Sequence, residues 1–76
     1  MTQYLVIYEP RESGCFPSLK TAQEIRAMIP TAQQQEGHLR IYRIRRGKRP
    51  ELLRLCHSSK AGYWLEDYYG NYIEGV

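Results

Sequence analysis

Leu39-Arg-Ile-Tyr-Arg-Ile-Arg-Arg-Gly-Lys-Arg-Pro-Glu-Leu-Leu-Arg-Leu-Cys56 holds most of the positive charge of the chain, and its β-branched and leucine residues flank a Gly-Lys-Arg-Pro turn. It reads as two strands, near residues 39–46 and 51–57, joined as a hairpin. Placing the turn at Gly47 to Pro50 sets Arg46 opposite Glu51, Ile44 opposite Leu53 and Tyr42 opposite Leu55. One side of the hairpin is then apolar and suited to a helix. On the other side Arg43 stands opposite Arg54 with Arg45 beside them, and like charges in such a pair are destabilising unless an anion meets them.

Upstream, residues 4–8 (Tyr-Leu-Val-Ile-Tyr) form a continuous β-favouring run without polar alternation, which predicts a central strand covered on both faces. Residues 9–17 contain Pro10, Gly14 and Pro17 and read as a loop, with Phe16 folding its ring back onto the core. Ser18 can cap a helix whose Leu19, Ala22, Ile25 and Ile29 fall on one stripe. Thr21 with Glu24 is a competing capping box. Pro30 is expected to end the helix, with a further helical turn from Thr31 to Gln34 and a stop at Gly37.

Downstream, residues 57–62 are turn-rich, residues 63–69 read as an aromatic strand, and Gly70-Asn71 fits a two-residue turn before a last strand over 72–76. The predicted fold class is therefore α+β: a mostly antiparallel sheet of four to five strands with one helix packed on one face, in the order β-α-β-β-β(-β). Seventy-six residues make one small domain over 1–76 with a thin core. At 42% hydrophobic and 25% charged residues, the composition is that of a folded domain rather than a disordered tail.

The formal charge of +3 conceals a strong asymmetry. Residues 37–60 hold eight cations against Glu51 alone, whereas residues 61–76 hold only Glu66, Asp67 and Glu74. Such segregation either attracts an anionic partner or is neutralised within the fold. Three readings follow. Arg43, Arg45, Arg46, Lys48, Arg49 and Arg54 can contact nucleic-acid phosphates, since a two-stranded ribbon can enter a DNA major groove. Tyr42, Tyr63, Trp64, Tyr68, Tyr69 and Tyr72 can add stacking platforms for unpaired bases. Alternatively Glu66, Asp67 and Glu74 neutralise the same arginines, or the cations blunt an exposed sheet edge.

Seven tyrosines in so short a chain also suit a protein-docking surface, through Tyr42, Tyr68, Tyr69 and Tyr72 or the Gly70-Asn71 hairpin. Tyr4, Tyr8 and Tyr63 are instead expected as half-buried strand residues. A short basic chain with one helix and a Tyr-rich meander resembles, in general character, small accessory proteins of phages and mobile elements.

Catalytic and metal chemistry have little support in the sequence. Cys56 and His57 are adjacent on a strand, so their side chains point to opposite faces and cannot form a nucleophile-base dyad. Cys15, His38, Cys56 and His57 lack zinc-ligand spacing, and no Gly-rich phosphate loop is present. No catalytic residue, metal, cofactor or small-molecule substrate is expected. Two distant cysteines predict free, mostly buried thiols in a reducing compartment. The absence of a long apolar run or leader pattern predicts a cytoplasmic chain without a membrane partner. The expected function is a non-catalytic binding module that contacts nucleic acid or an acidic protein surface, with an inhibitor or adaptor docking through a Tyr-rich sheet or its edge as the alternative.

Overall fold

The computed structural model describes residues 2–12 and 14–76. Seven elements follow in order: β1 (Gln3–Glu9), β2 (Phe16–Thr21), α1 (Ala22–Gln34), β3 (His38–Arg43), β4 (Glu51–Ser58), β5 (Gly62–Glu66) and β6 (Tyr72–Gly75). All strands pair antiparallel in a single sheet of order β2-β1-β3-β4-β5-β6. The α+β class, single helix and antiparallel sheet match the sequence reading. The sheet has six strands rather than four or five, because β2 forms where a loop and helix start were expected.

β2 takes Ser18 and Leu19 out of the helix. Leu19 pairs with Leu5 of β1 and is 57% exposed, so it belongs to no helical stripe. The helix instead starts at Thr21, whose hydroxyl accepts from the Glu24 backbone N–H while the Glu24 carboxylate accepts from the Thr21 N–H, at 2.9 Å. This reciprocal box satisfies two donors that a helix start leaves open. It also holds the Glu24 carboxyl below its usual range, first through the Thr21 backbone N–H and then through the hydroxyl.

Pro30 does not end the helix. α1 runs on to Gln34, since Ile29 and Ala32, on either side of the proline, are both buried against the sheet. Tertiary packing there outweighs the lost backbone hydrogen bond. The C-terminus closes with Glu36 N–H donating to Gln33 and Gly37 N–H donating to Ala32, at 3.2 and 2.8 Å, the paired bonds of a Schellman motif. Glu36, not Gly37, takes the left-handed slot at φ 52°. Gly37 is required for another reason: a Cβ there would lie 2.6 Å from the Tyr8 ring.

Tyr4, Val6, Ile25, Ile41, Leu53 and Leu65 form the buried cluster on the helix side of the sheet. β1 is interior, as expected, but only one of its faces is covered by the helix. Phe16 is not folded onto the core; it opens β2 and is 55% exposed. The β2 edge offers little to a further strand. Backbone groups two residues apart point the same way, and the Thr21 N–H turns toward Glu24, so Pro17, Leu19 and Thr21 are the outward set. Pro17 has no N–H and that of Thr21 is engaged, which leaves Leu19 as the only outward donor.

Candidate nucleic-acid interface

The β3–β4 hairpin is organised differently from its sequence reading. Ile41 pairs with Leu53, Tyr42 with Leu52 and Arg43 with Glu51. The connection spans residues 44–50 instead of a four-residue turn. Within it Lys48 N–H donates to the Arg45 carbonyl at 3.1 Å, and Gly47 adopts φ 74° to reverse the chain. An odd shift of three residues flips the side chains of β3 relative to those of β4. Arg43 is therefore not opposite Arg54: it lies on the helix-side face with Ile41 and Leu53, while Arg54 lies on the open face opposite Glu66.

Each basic side chain consequently has its own environment. Arg43 donates through Nε and Nη2 to Glu51 Oε1 at 2.9 and 2.5 Å, with both side chains mostly buried. Its charge is neutralised within the fold, although by Glu51 rather than by the C-terminal acids. Arg45 approaches the same oxygen at 3.4 Å and stays exposed. Arg46, Lys48 and Arg49 lie on the exposed loop and make no ion pair among the described residues. The Arg54 guanidinium sits 4.8 Å above the Tyr68 ring, a cation-π contact.

The C-terminal acids have separate duties. Glu74 accepts a 2.5 Å hydrogen bond from the buried Tyr4 hydroxyl, and burial, reinforced by that carboxylate, pushes the phenol pKa well up. Glu66 accepts from Trp64 Nε1 at 2.7 Å. Asp67, 6% exposed, organises the β5–β6 connection. Its Oδ1 accepts from the Tyr69 and Asn71 backbone N–H groups, each at 2.9 Å, and its Oδ2 from Asn71 Nδ2 at 3.0 Å. These bonds, those from Asn71 foremost, hold its carboxyl below the usual range, and the Arg43 charge adds to them. The turn is thus the five residues 67–71, not Gly70-Asn71 alone. The Asp67-x-x-Gly70-Asn71 spacing was the available sign of a side chain closing its own turn.

Asp67 displays the tyrosines. Tyr68, Tyr69 and Tyr72 are 56%, 90% and 66% exposed. Tyr42 is half-buried on the open face between Leu5 and Leu52. Because β4 starts at Glu51 and the antiparallel β5 ends at Glu66 opposite Arg54, loops 44–50 and 67–71 leave the sheet at the same end. Two residue sets from separate hairpins, the cations of residues 45–49 and the exposed tyrosines, therefore occupy one end of the sheet. The Arg54–Tyr68 contact links that end to the open face.

The cysteines and histidines lie apart from the loops 44–50 and 67–71. Cys56 pairs with Trp64 and His57 with Tyr63, on opposite faces, and the His57 and Tyr63 rings stack at 4.3 Å. Cys15 is exposed rather than buried, while Cys56 is half-buried and has its thiol pKa raised, chiefly by desolvation. His38 is exposed at the start of β3. No group of three or more His, Cys, Asp or Glu side chains is placed to hold a metal among the described residues. A cleft of about 570 Å³, lined by Tyr8, Pro10, Arg11, Phe16 and Gln35 among others, contains neither His nor Cys. No helix among the described residues is long and apolar enough to cross a membrane. No protein-family model matches the chain, and no curated protein or solved structure matches it.

Proposed function

We propose that this protein is a non-catalytic binding module that contacts nucleic-acid phosphates through the β3–β4 loop. One observation carries the reading: Arg45, Arg46, Lys48 and Arg49 crowd an exposed seven-residue connection, and three of the four have no carboxylate partner among the described residues. Unneutralised cations this close together repel one another, and phosphates relieve that repulsion while guanidinium groups match them bidentately. Arg54 adds a fifth cation from the open face. Arg43 drops out of the contact set because Glu51 already holds it.

Counterion release tests the proposal. Binding of a labelled oligonucleotide should weaken steeply with salt, and Arg46→Gln with Arg49→Gln should flatten the slope of log affinity against log salt by roughly 0.7–0.9 per lost contact. A salt-independent affinity, or a slope that both substitutions leave unchanged, contradicts it.

A second reading is favoured by one feature. Leu19, Leu5, Tyr42 and Leu52 lie in register across β2, β1, β3 and β4 on the face that the helix leaves open, with Leu19 57% and Leu52 39% exposed. A continuous apolar row of this kind supports a protein-docking adaptor or inhibitor, and the adjacent cations suit an acidic partner. The β2 edge is a poor site for strand addition, since only Leu19 presents an outward N–H. Leu19→Ser with Leu52→Ser should abolish protein association and leave oligonucleotide binding unchanged if this reading holds.

A further inference from the structure

We infer that the nucleic acid this protein takes is single-stranded, with the β3–β4 loop tracking the backbone and Tyr69, Tyr68 and Tyr72 stacking unpaired bases. The inference rests on the phosphate-binding reading above and extends it to a substrate class.

The first argument is dimensional. A major groove about 12 Å wide admits a two-stranded ribbon, and a hairpin free of other strands supplies one. β3 and β4 are not free: β1 flanks one and β5 the other, inside a six-stranded sheet. With neighbouring strands about 4.8 Å apart, such a sheet is roughly 24 Å across. The strand arginines also face opposite sides, Arg43 into the helix-side face and Arg54 onto the open one. The hairpin therefore does not enter a groove as an isolated ribbon, and its loop is the part it presents to a nucleic acid.

The second argument is the aromatic display. Exposing a tyrosine ring forgoes its burial, yet Tyr69 is 90% and Tyr72 66% exposed in a chain whose core is thin. The backbone of the turn and the Tyr68 ring are tied to the fold. Asp67 ties the Tyr69 backbone N–H at 2.9 Å, and the Arg54 guanidinium lies against the Tyr68 ring at 4.8 Å. A base inside a duplex has both faces covered by its neighbours, whereas an unpaired base offers a face to an aromatic ring, with any sequence tolerated. Cations on one loop and exposed rings on the next, at the same end of the sheet, match the alternation of phosphate and base along a single strand.

The test is fluorescence anisotropy with labelled 20-nucleotide dT and rU strands and with a 20-base-pair duplex, all at low salt. The expected result is tighter binding of at least one single strand than of the duplex, by about tenfold or more. Tyr69→Ala should weaken single-strand binding between about five- and a hundredfold, the range seen for losing one stacked base, and leave duplex binding and the salt slope unchanged. Tyr69 is almost fully exposed, so the variant should retain the parent melting temperature, and Tyr72→Ala provides a second exposed probe. The dT and rU arms distinguish DNA from RNA. Equal affinity for single strand and duplex, with Tyr69→Ala neutral, would overturn the inference and leave the phosphate reading standing. No binding to any of the three, or binding only to an acidic protein, would overturn both.

Discussion

Arg43 faces Glu51 across the β3–β4 ladder, and two of its nitrogens converge on the single oxygen Oε1 at 2.9 and 2.5 Å. The pair sits on the helix-side face of the sheet, near Tyr4, whose pKa the Arg43 charge lowers against the larger effect of burial. Removing one member leaves a largely desolvated charge. Glu51→Ala should therefore lower stability by about 1–3 kcal/mol, whereas Arg46→Ala on the exposed loop should stay within about 0.5 kcal/mol. Urea midpoints for the two variants, with an Arg43→Met/Glu51→Leu double variant recovering most of the loss, check the assignment. A tolerated Glu51→Ala would mean that the pair does not hold the hairpin register.

The start of the helix gives a second measurable contrast. Thr21→Ala removes the capping hydroxyl and should cost about 1 kcal/mol, while Ser18→Ala should be nearly neutral because Ser18 lies within β2. Ile25, fully buried, should lose about 2–5 kcal/mol on truncation to alanine. Leu19→Ala should cost far less, since that side chain is 57% exposed. Comparable losses at Leu19 and Ile25 would restore Leu19 to the helical stripe.

Much of this architecture is legible in the residues because its signals are local. The Thr21-x-x-Glu24 box, the apolar run of β1 and the Ile25/Ile29 spacing each act within a few positions; the box and the spacing match the fold, and the run marks an interior strand, although the helix covers only one of its faces. β2 was hidden because Pro17 reads as loop punctuation and Ser18 as a helix cap, although proline is tolerated on an edge whose outward N–H has no partner. The hairpin register was hidden because it depends on loop length. Seven residues rather than four connect the strands, and the resulting shift moves Arg43 from a like-charge pair into contact with Glu51. Pro30 stays helical because Ile29 and Ala32 pack on the sheet, a long-range effect that no propensity carries. For the candidate interface, the sequence offers the cations and the tyrosines as residue types, but the structure sets Arg43 against Glu51 and half-buries Tyr42. The meeting of the two sets at one end of the sheet follows only from strand order.

Cysteine reactivity distinguishes two environments. Cys15 is exposed, and Cys56 is half-buried with a thiol pKa raised mainly by desolvation, with Glu66 adding and Arg54 opposing. Only the thiolate attacks a thiol reagent, so Cys56 should react slowly in the native protein and Cys15 rapidly. Denatured, unreduced protein should show two reactive thiols. Cys56→Ala should remove the slow phase alone; loss of the fast phase instead would reverse the two environments.

Asp67 links the tyrosine display to pH. Its carboxyl is held below the usual range by the Asn71 backbone and side-chain donors, the Tyr69 N–H and the Arg43 charge. A group with a lower pKa folded than unfolded stabilises the fold above its unfolded value, about 3.9 for aspartate, and that contribution disappears as pH falls through the lower folded value. Stability should thus decline on acidification below about pH 4. In Asp67→Asn this acid limb should become shallower. The amide keeps one acceptor for the backbone N–H groups but turns its own donors toward Asn71 Nδ2, so the loop should also be less stable at neutral pH. Urea midpoints from pH 2.5 to 7 on parent and variant would show this as two curves that converge at the acid end. Parallel curves would assign the acid sensitivity to another carboxylate. If the variant also loses single-strand affinity at neutral pH with Tyr69 intact, the stacking surface depends on the Asp67 turn rather than on the tyrosines alone.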